Sequence, residues 1–363
     1  MPSLSSMFKG LATITLFASV ATVTAAPAKR TSCTVASVSD AANISGCASV
    51  TIKSFTVPSG QTLILNPSDG ATVAMAGDVT FAKTTSSGPL FTIDGSNIKF
   101  KGAGHKFDGN GAKYWDGQGT NGGVTKPHPF LKFKGSGQYS SFTVLNSPAQ
   151  AISIGNSDGL TFDTVTVDNS AGDSGSLGHN TDGFDVSADN VTIQNSVVKN
   201  QDDCIAINDG SNIVFQNNQC SGGHGISVGS IASGKHVSDV AIKGNTVTNS
   251  MYGMRVKVKA AATSASVSGV TYSGNTISGI AKYGFLVSQS YPDDTSTPGT
   301  GAPISGINFS GDTTNIKVNS GAKRVTVDCG SCTGTWNWSK LTATGGSAGT
   351  ISSDKAKISG GSY

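Results

Sequence analysis

Phe184, Ile205 and Ile226 stand 21 residues apart, and each opens a short run in which apolar and polar residues alternate. A step of that length, filled only with brief strands and turns, is what a parallel β-helix requires, because every coil lays its strands on those of the coil before. The alternation stacks Phe184, Ile205 and Ile226 in one interior ladder and Val186, Ile207 and Val228 in a second. Ile152-Ser-Ile154, Met254-Arg-Val256 and Phe285-Leu-Val287 continue the pattern in both directions. Between these runs falls another family that includes Leu160-Thr-Phe162, Val191-Thr-Ile193, Ile213-Val-Phe215 and Val240-Ala-Ile242, each following Asp, Asn or Gly. A sandwich or barrel could use such strands but does not explain the recurring step. Helical folds are excluded by composition: 47 of 363 residues are Gly, and all 22 acidic residues are Asp, so the strong helix former Glu is absent. The expectation is an all-β, right-handed parallel β-helix, with a short N-terminal capping helix over residues 38–44 that covers the open core and exposed edge of the first coil.

The same register decides where chemistry can lie. Asp182, Asp203 and His224 each precede an inward residue of the first ladder by two positions, so they are expected at equivalent places on three adjacent coils, with Asp202 beside Asp203. Neighbouring coils lie ~4.8 Å apart. Inward-pointing polar groups at these places would be costly, so the chain is expected to bend before each strand, helped by Gly183 and Gly225. One coil further on, Met254 and Val256 point inward, which turns Arg255 and Lys257 outward next to the aspartates. Asp185 also points outward there, either supporting the cluster or merely solvated. His179 adjoins the first segment and is expected to line a cleft, whereas His105, His128 and His236 read as surface or turn residues.

Glycosidic hydrolysis needs a protonated acid at the leaving oxygen and an ionised carboxylate as base or nucleophile. Asp182, Asp202 and Asp203 supply three candidates in a small patch, and crowding lets one of them keep its proton. Arg255 and Lys257 suit a substrate that carries carboxylates. The residues therefore point to hydrolysis of an acidic polysaccharide. Ser227 lies near His224, but no nucleophile elbow or third triad member accompanies it. The glycines form no phosphate loop.

Residues 1–25 read as a secretory signal peptide: Lys9, an apolar stretch over 11–23, then Val23-Thr24-Ala25. Residues 26–30 read as a short propeptide ending in Lys29-Arg30, leaving 31–363 as a single β-helical catalytic domain. Lys9, Lys29 and Arg30 are the only charges before residue 31 and account for the whole formal charge of +3. The mature chain is thus neutral and shows no basic stripe, so no nucleic-acid partner is expected. No run approaches the ~18 apolar residues of a membrane span. Six cysteines in a secreted chain suggest disulfides, and the local pairing is Cys33 with Cys47, Cys204 with Cys220, and Cys329 with Cys332. Sequons at Asn43, Asn190, Asn308 and Asn337 permit glycosylation.

Four segments, Asn180-Thr-Asp182-Gly-Phe-Asp185, Gln201-Asp-Asp203-Cys204, Gly223-His-Gly-Ile-Ser227 and Arg255-Val-Lys257, resemble in order and spacing the signature segments of fungal endopolygalacturonases, glycoside hydrolase family 28. The resemblance spans most of residues 31–363 and implies a pectinase-like solenoid that cuts α-1,4-linked galacturonan internally by an inverting, single displacement. It implies that Asp202 is the general acid, that Asp182 and Asp203 hold and activate water, and that His224 tunes the acid. Arg255 and Lys257 resemble the carboxylate-binding pair, and Asn180 and Tyr291 are the remaining substrate-binding candidates. Neither a metal nor another cofactor is implied, and the expected state is an extracellular monomer. The chain lacks an additional C-terminal cysteine pair that many relatives carry, so its final residues are expected to be less firmly pinned. Two other readings are a pectate or pectin lyase, which would use aspartates for calcium, and a non-catalytic β-helical carbohydrate-binding wall protein.

Overall fold

Short strands dominate the computed structural model, which describes residues 31–353 and 356–363, the side chains of 156 and 157 excepted. The signal peptide and propeptide expected over 1–30 lie outside the described residues. The strands wind into a right-handed parallel β-helix, the hand that crossovers between parallel strands almost always take. The expected ladder is present in register: Ile152 pairs with Phe184, Phe184 with Ile205, Ile205 with Ile226, Ile226 with Met254 and Met254 with Phe285. All six side chains are fully buried. On the next face Leu160, Val191, Ile213, Val240, Val270 and Ile307 pair in the same coil-to-coil order.

Long strands such as Ile205–Gln216 run across two of these faces, with register irregularities where they bend. Burial of each large apolar side chain stabilises the stack by about 1.5–3 kcal/mol. Aromatic rings stack along the axis as the aliphatic ladders do: Phe100, Tyr139 and Phe162 lie 5.9 and 5.4 Å apart, tilted by 23° and 22°. One interior corner is polar. Asn218, Asn245 and Asn275 are buried, and the backbone N–H of each of the first two donates to the side-chain oxygen of the next, at 2.9 and 3.0 Å. These bonds satisfy the turn's amides inside the core, where an unpaired one would be costly.

The capping helix is shorter than expected, Val38–Ala41, and Ser37 accepts the Asp40 N–H as its N-cap. The chain turns at once to bring Cys47 to Cys33, while Ala41 and Ile44 cover the first coil. Cys204–Cys220 and Cys329–Cys332 complete the local pairing. At the C-terminus, backbone pairing and packing hold the final residues. Ser362 N–H donates to the Leu341 carbonyl at 2.9 Å and Ser362 O accepts from Ala343 at 2.7 Å, while Tyr363 packs edge-on against Trp338 at 5.2 Å.

Candidate active site

The strands Phe184–Gln194, Ile205–Gln216 and Ile226–Ile231 begin at the inward residue itself. Asp182, Asp202, Asp203 and His224 therefore sit in the turns that lead into them. Those turns keep the coil ladder going: Gly183 N–H donates to Asp203 O and Cys204 N–H to Gly225 O, each at 2.8 Å. Gly225 has φ +71°, and a Cβ there would lie 2.3 Å from the Gly253 carbonyl, so the bend admits no side chain.

The turns meet as the register requires. An oxygen of Asp202, one of Asp203 and a ring nitrogen of His224 lie within 4.8 Å of one another. Asp203 is wholly buried. Its Oδ1 accepts from Ser227 Oγ at 2.7 Å and Arg255 Nη2 at 2.8 Å, and its Oδ2 accepts from Lys257 Nζ at 2.5 Å. Burial alone would raise its pKa, but Lys257 and Arg255 outweigh that and hold it well below the usual carboxylate range. The two cations lie beside the aspartates as expected, and they are themselves buried and grip Asp203. An unpaired carboxylate at that depth could not stay ionised. Arg255 Nε also donates to Ser227 Oγ at 2.8 Å.

The neighbouring carboxylates behave oppositely. Burial, then the charges of Asp202, Asp185 and Asp203, push Asp182 well above its ordinary value. Asp182 Oδ1 is buried and accepts no hydrogen bond among the described residues, so it calls for a small polar guest. Burial and then Asp203 and Asp202 push Asp185 up to about 7. Asp202 is the most hydrogen-bonded of the outer carboxyls. Its Oδ1 accepts from Asp203 N–H at 2.8 Å and lies 2.9 Å from His224 Nδ1, and its Oδ2 accepts from Asn180 Nδ2 at 3.0 Å. Asn180 thus turns its amide nitrogen toward the acid cluster. Lys257 lies over the Tyr291 ring at 5.3 Å, which brings Tyr291 to the same site. His179 joins His224, Gln201 and Met251 in lining an adjacent cleft of about 600 Å³.

Two participants escaped the sequence reading. Ser227, dismissed as a nucleophile, is the hinge between Asp203 and Arg255. Tyr252 meets the edge of His224 at 5.7 Å and lies beneath the Arg255 guanidinium at 4.2 Å, while its hydroxyl donates to Asp294 at 2.9 Å. The signal for Tyr252 was present: it stands two residues before inward Met254, as His224 stands before Ile226. Tyr283, two before Phe285, stacks on Tyr252 at 6.1 Å with the rings 3° from parallel.

A β-helix whose turns set carboxylates beside buried cations, along an open groove, defines a glycan-cleaving hydrolase of the solenoid class. Residues 47–359 match the family model of glycosyl hydrolases family 28, and the chain belongs to that family. An endo-polygalacturonase of Sclerotinia sclerotiorum is 47% identical over 313 residues, covering 84% of this chain and 80% of the relative. A polygalacturonase of Cochliobolus carbonum is 43% identical, covering 91% and 93%. Among solved structures, endopolygalacturonase I of Stereum purpureum, complexed with two galacturonate, superposes with TM-score 0.91 at 72% identity, covering 91% of this chain and all of that one. The polygalacturonase of Erwinia carotovora shares the fold, with TM-score 0.59 at 18% identity over 91% of this chain and 98% of that one.

Proposed function

We propose that this chain is a secreted endopolygalacturonase that hydrolyses internal α-1,4-galacturonosidic bonds of homogalacturonan with inversion. The observation that carries the reading is a single cluster in which Asp203 is pinned as an anion by Arg255 and Lys257, beside Asp202 and an Asp182 whose buried Oδ1 calls for a small polar guest such as the attacking water. A carboxylate with raised proton affinity is the stronger base once it is ionised. Asp182 therefore takes the proton of the attacking water, and Asp203 holds that water with its fixed charge. Asp202 protonates the leaving oxygen, supported from behind by His224. Arg255 spends Nε and one terminal nitrogen on the protein. The other terminal nitrogen, with the remaining ammonium hydrogens of Lys257, is left for a uronate carboxylate, and Tyr291 flanks it. The galacturonate-bound Stereum relative supports this substrate class.

The groove is complete within one chain, which supports a monomer. Pairing of all six cysteines supports an oxidising, extracellular compartment. Asp203 already gives both oxygens to fixed cations, which leaves it unsuited to the calcium chemistry of a lyase. On polygalacturonate, viscosity is expected to fall faster than reducing ends appear, with no ultraviolet-absorbing unsaturated product and no effect of a chelator. An unsaturated, chelator-sensitive product would replace the hydrolase with a lyase. Because Asp182 must be ionised while Asp202 still carries its proton, the pH profile is expected to be bell-shaped, with the raised proton affinity of Asp182 setting its acid limb. A profile without an acid limb would contradict that division of roles.

A further inference from the structure

Residues 111–129 form a loop rooted on the coil wall by two buried aromatics. The Tyr114 hydroxyl accepts the Thr84 N–H at 2.9 Å, and Trp115 Nε1 donates to the Ser147 carbonyl at 3.1 Å. Its two limbs are clipped together by Asp116 and Lys126, 2.7 Å apart, with the lysine side chain 1% exposed. Asp116 Oδ2 also accepts Val124 N–H at 2.7 Å, and Lys126 Nζ donates to Val124 O at 2.9 Å. The tip meets the catalytic cluster at one residue: Thr120 N–H and Oγ1 both donate to Asn180 Oδ1, at 3.0 and 3.3 Å. The Thr120 backbone N–H can only donate, so it fixes the Asn180 oxygen on the loop side and turns the amide nitrogen to Asp202. Space is tight as well, since a Cβ on Gly119 would lie 2.2 Å from Asn180 Oδ1.

We propose that this clipped loop holds Asn180 as a positioning residue for Asp202, fixing the orientation of the carboxyl and stabilising the carboxylate that forms when the proton leaves Oδ2. Asp202 Oδ1 is already engaged by Asp203 N–H and His224, whereas Oδ2 accepts from Asn180 alone among the described residues. In the acid step the Oδ2–H bond breaks, the glycosidic oxygen takes the proton, and the Asn180 N–H remains on the new anion. Asp202 is faced by Asp182 and Asp185 on the preceding coil, Asp203 beside it, His224 on the next coil and Arg255 beyond. His179 adjoins Asn180, and the loop's own charged and titratable groups are Lys113, Asp116, Lys126 and His128. Loss of an N–H that favours the charged form must raise the pH at which the acid is lost.

The inference rests on Asp202 being the acid, and the test separates the two. In the full chain, Asn180→Ala is expected to lower kcat about tenfold with KM within about twofold, and to move the alkaline limb of the kcat profile up by about half a pH unit. Asp116→Asn and Gly119→Ala, neither of which contacts the acid, are expected to act in the same direction more weakly. Asp116→Asn added to Asn180→Ala is expected to cost nothing further, because the loop acts only through that amide. An unmoved pH profile with a raised KM, or additive losses in the double variant, would overturn the proposal. If Asp116→Asn does not fold, Gly119→Ala provides the same comparison. An active Asp202→Asn would remove the acid assignment itself, whereas an inactive Asp202→Asn beside an unshifted Asn180→Ala would remove only the positioning role.

Discussion

Asp202→Asn is expected to lower kcat on polygalacturonate by about 10²- to 10⁴-fold, the contribution of a positioned general acid, while leaving the fold and substrate affinity largely intact. The substitution keeps the shape of the side chain and removes only its ability to give up a proton at the leaving oxygen. The side chain is at the groove rather than in the core, 13% exposed, so no packing is lost. Steady-state kinetics beside a thermal melt decides the matter. Near-normal turnover in a folded variant would mean that another group protonates the leaving oxygen, with Asp185, held up to about 7, the next candidate.

Asp203→Asn is expected to be as damaging to turnover and to destabilise the fold as well, by about 3–5 kcal/mol, because it leaves two buried cations without their counter-ion. Urea denaturation measures this directly, and an unchanged midpoint would mean that solvent reaches Arg255 and Lys257. The wild-type protein should reveal the same triad in its pH dependence. The folded-state pKa of Asp203 is depressed, so its stabilisation is present above the unfolded value of about 4 and is lost as pH falls below it. Asp182 and Asp185 have raised values, so the folded state binds their protons more tightly and stability declines as pH rises from about 4 towards 7. Together these opposite slopes place maximum stability in mild acid. In Asp203→Asn the part of the acid-side loss that Asp203 contributes should disappear, leaving that of carboxylates such as Asp116, while the loss on the neutral side remains.

Much of this was legible because a solenoid converts sequence spacing into distance. The 21-residue steps gave the coil, the inward ladder and the meeting of Asp182, Asp202, Asp203 and His224 in consecutive turns. Register could say that Arg255 and Lys257 leave the core side of their strand, but not that the groove floor beneath them is closed and makes Asp203 their partner. That depends on side-chain length and direction across coils, which spacing does not encode. Tyr252 is harder to see for a different reason: it holds the same position two before an inward residue but carries no acid–base chemistry to mark it. Asp116 and Lys126 lie in a loop with no place in the ladder at all, so nothing in the repeat tied them to Asn180.

Because each coil bonds only to its neighbours, the turns that carry residues 182 to 257 behave as a cassette within a longer stack. Adding a whole coil near either end would extend the trough that cradles the polymer and leave the cutting point untouched. Adding one between Ile205 and Met254 would separate Asp203 from its cations by a further ~4.8 Å. Reach along the sugar chain can therefore be altered independently of the chemistry, except inside that cassette.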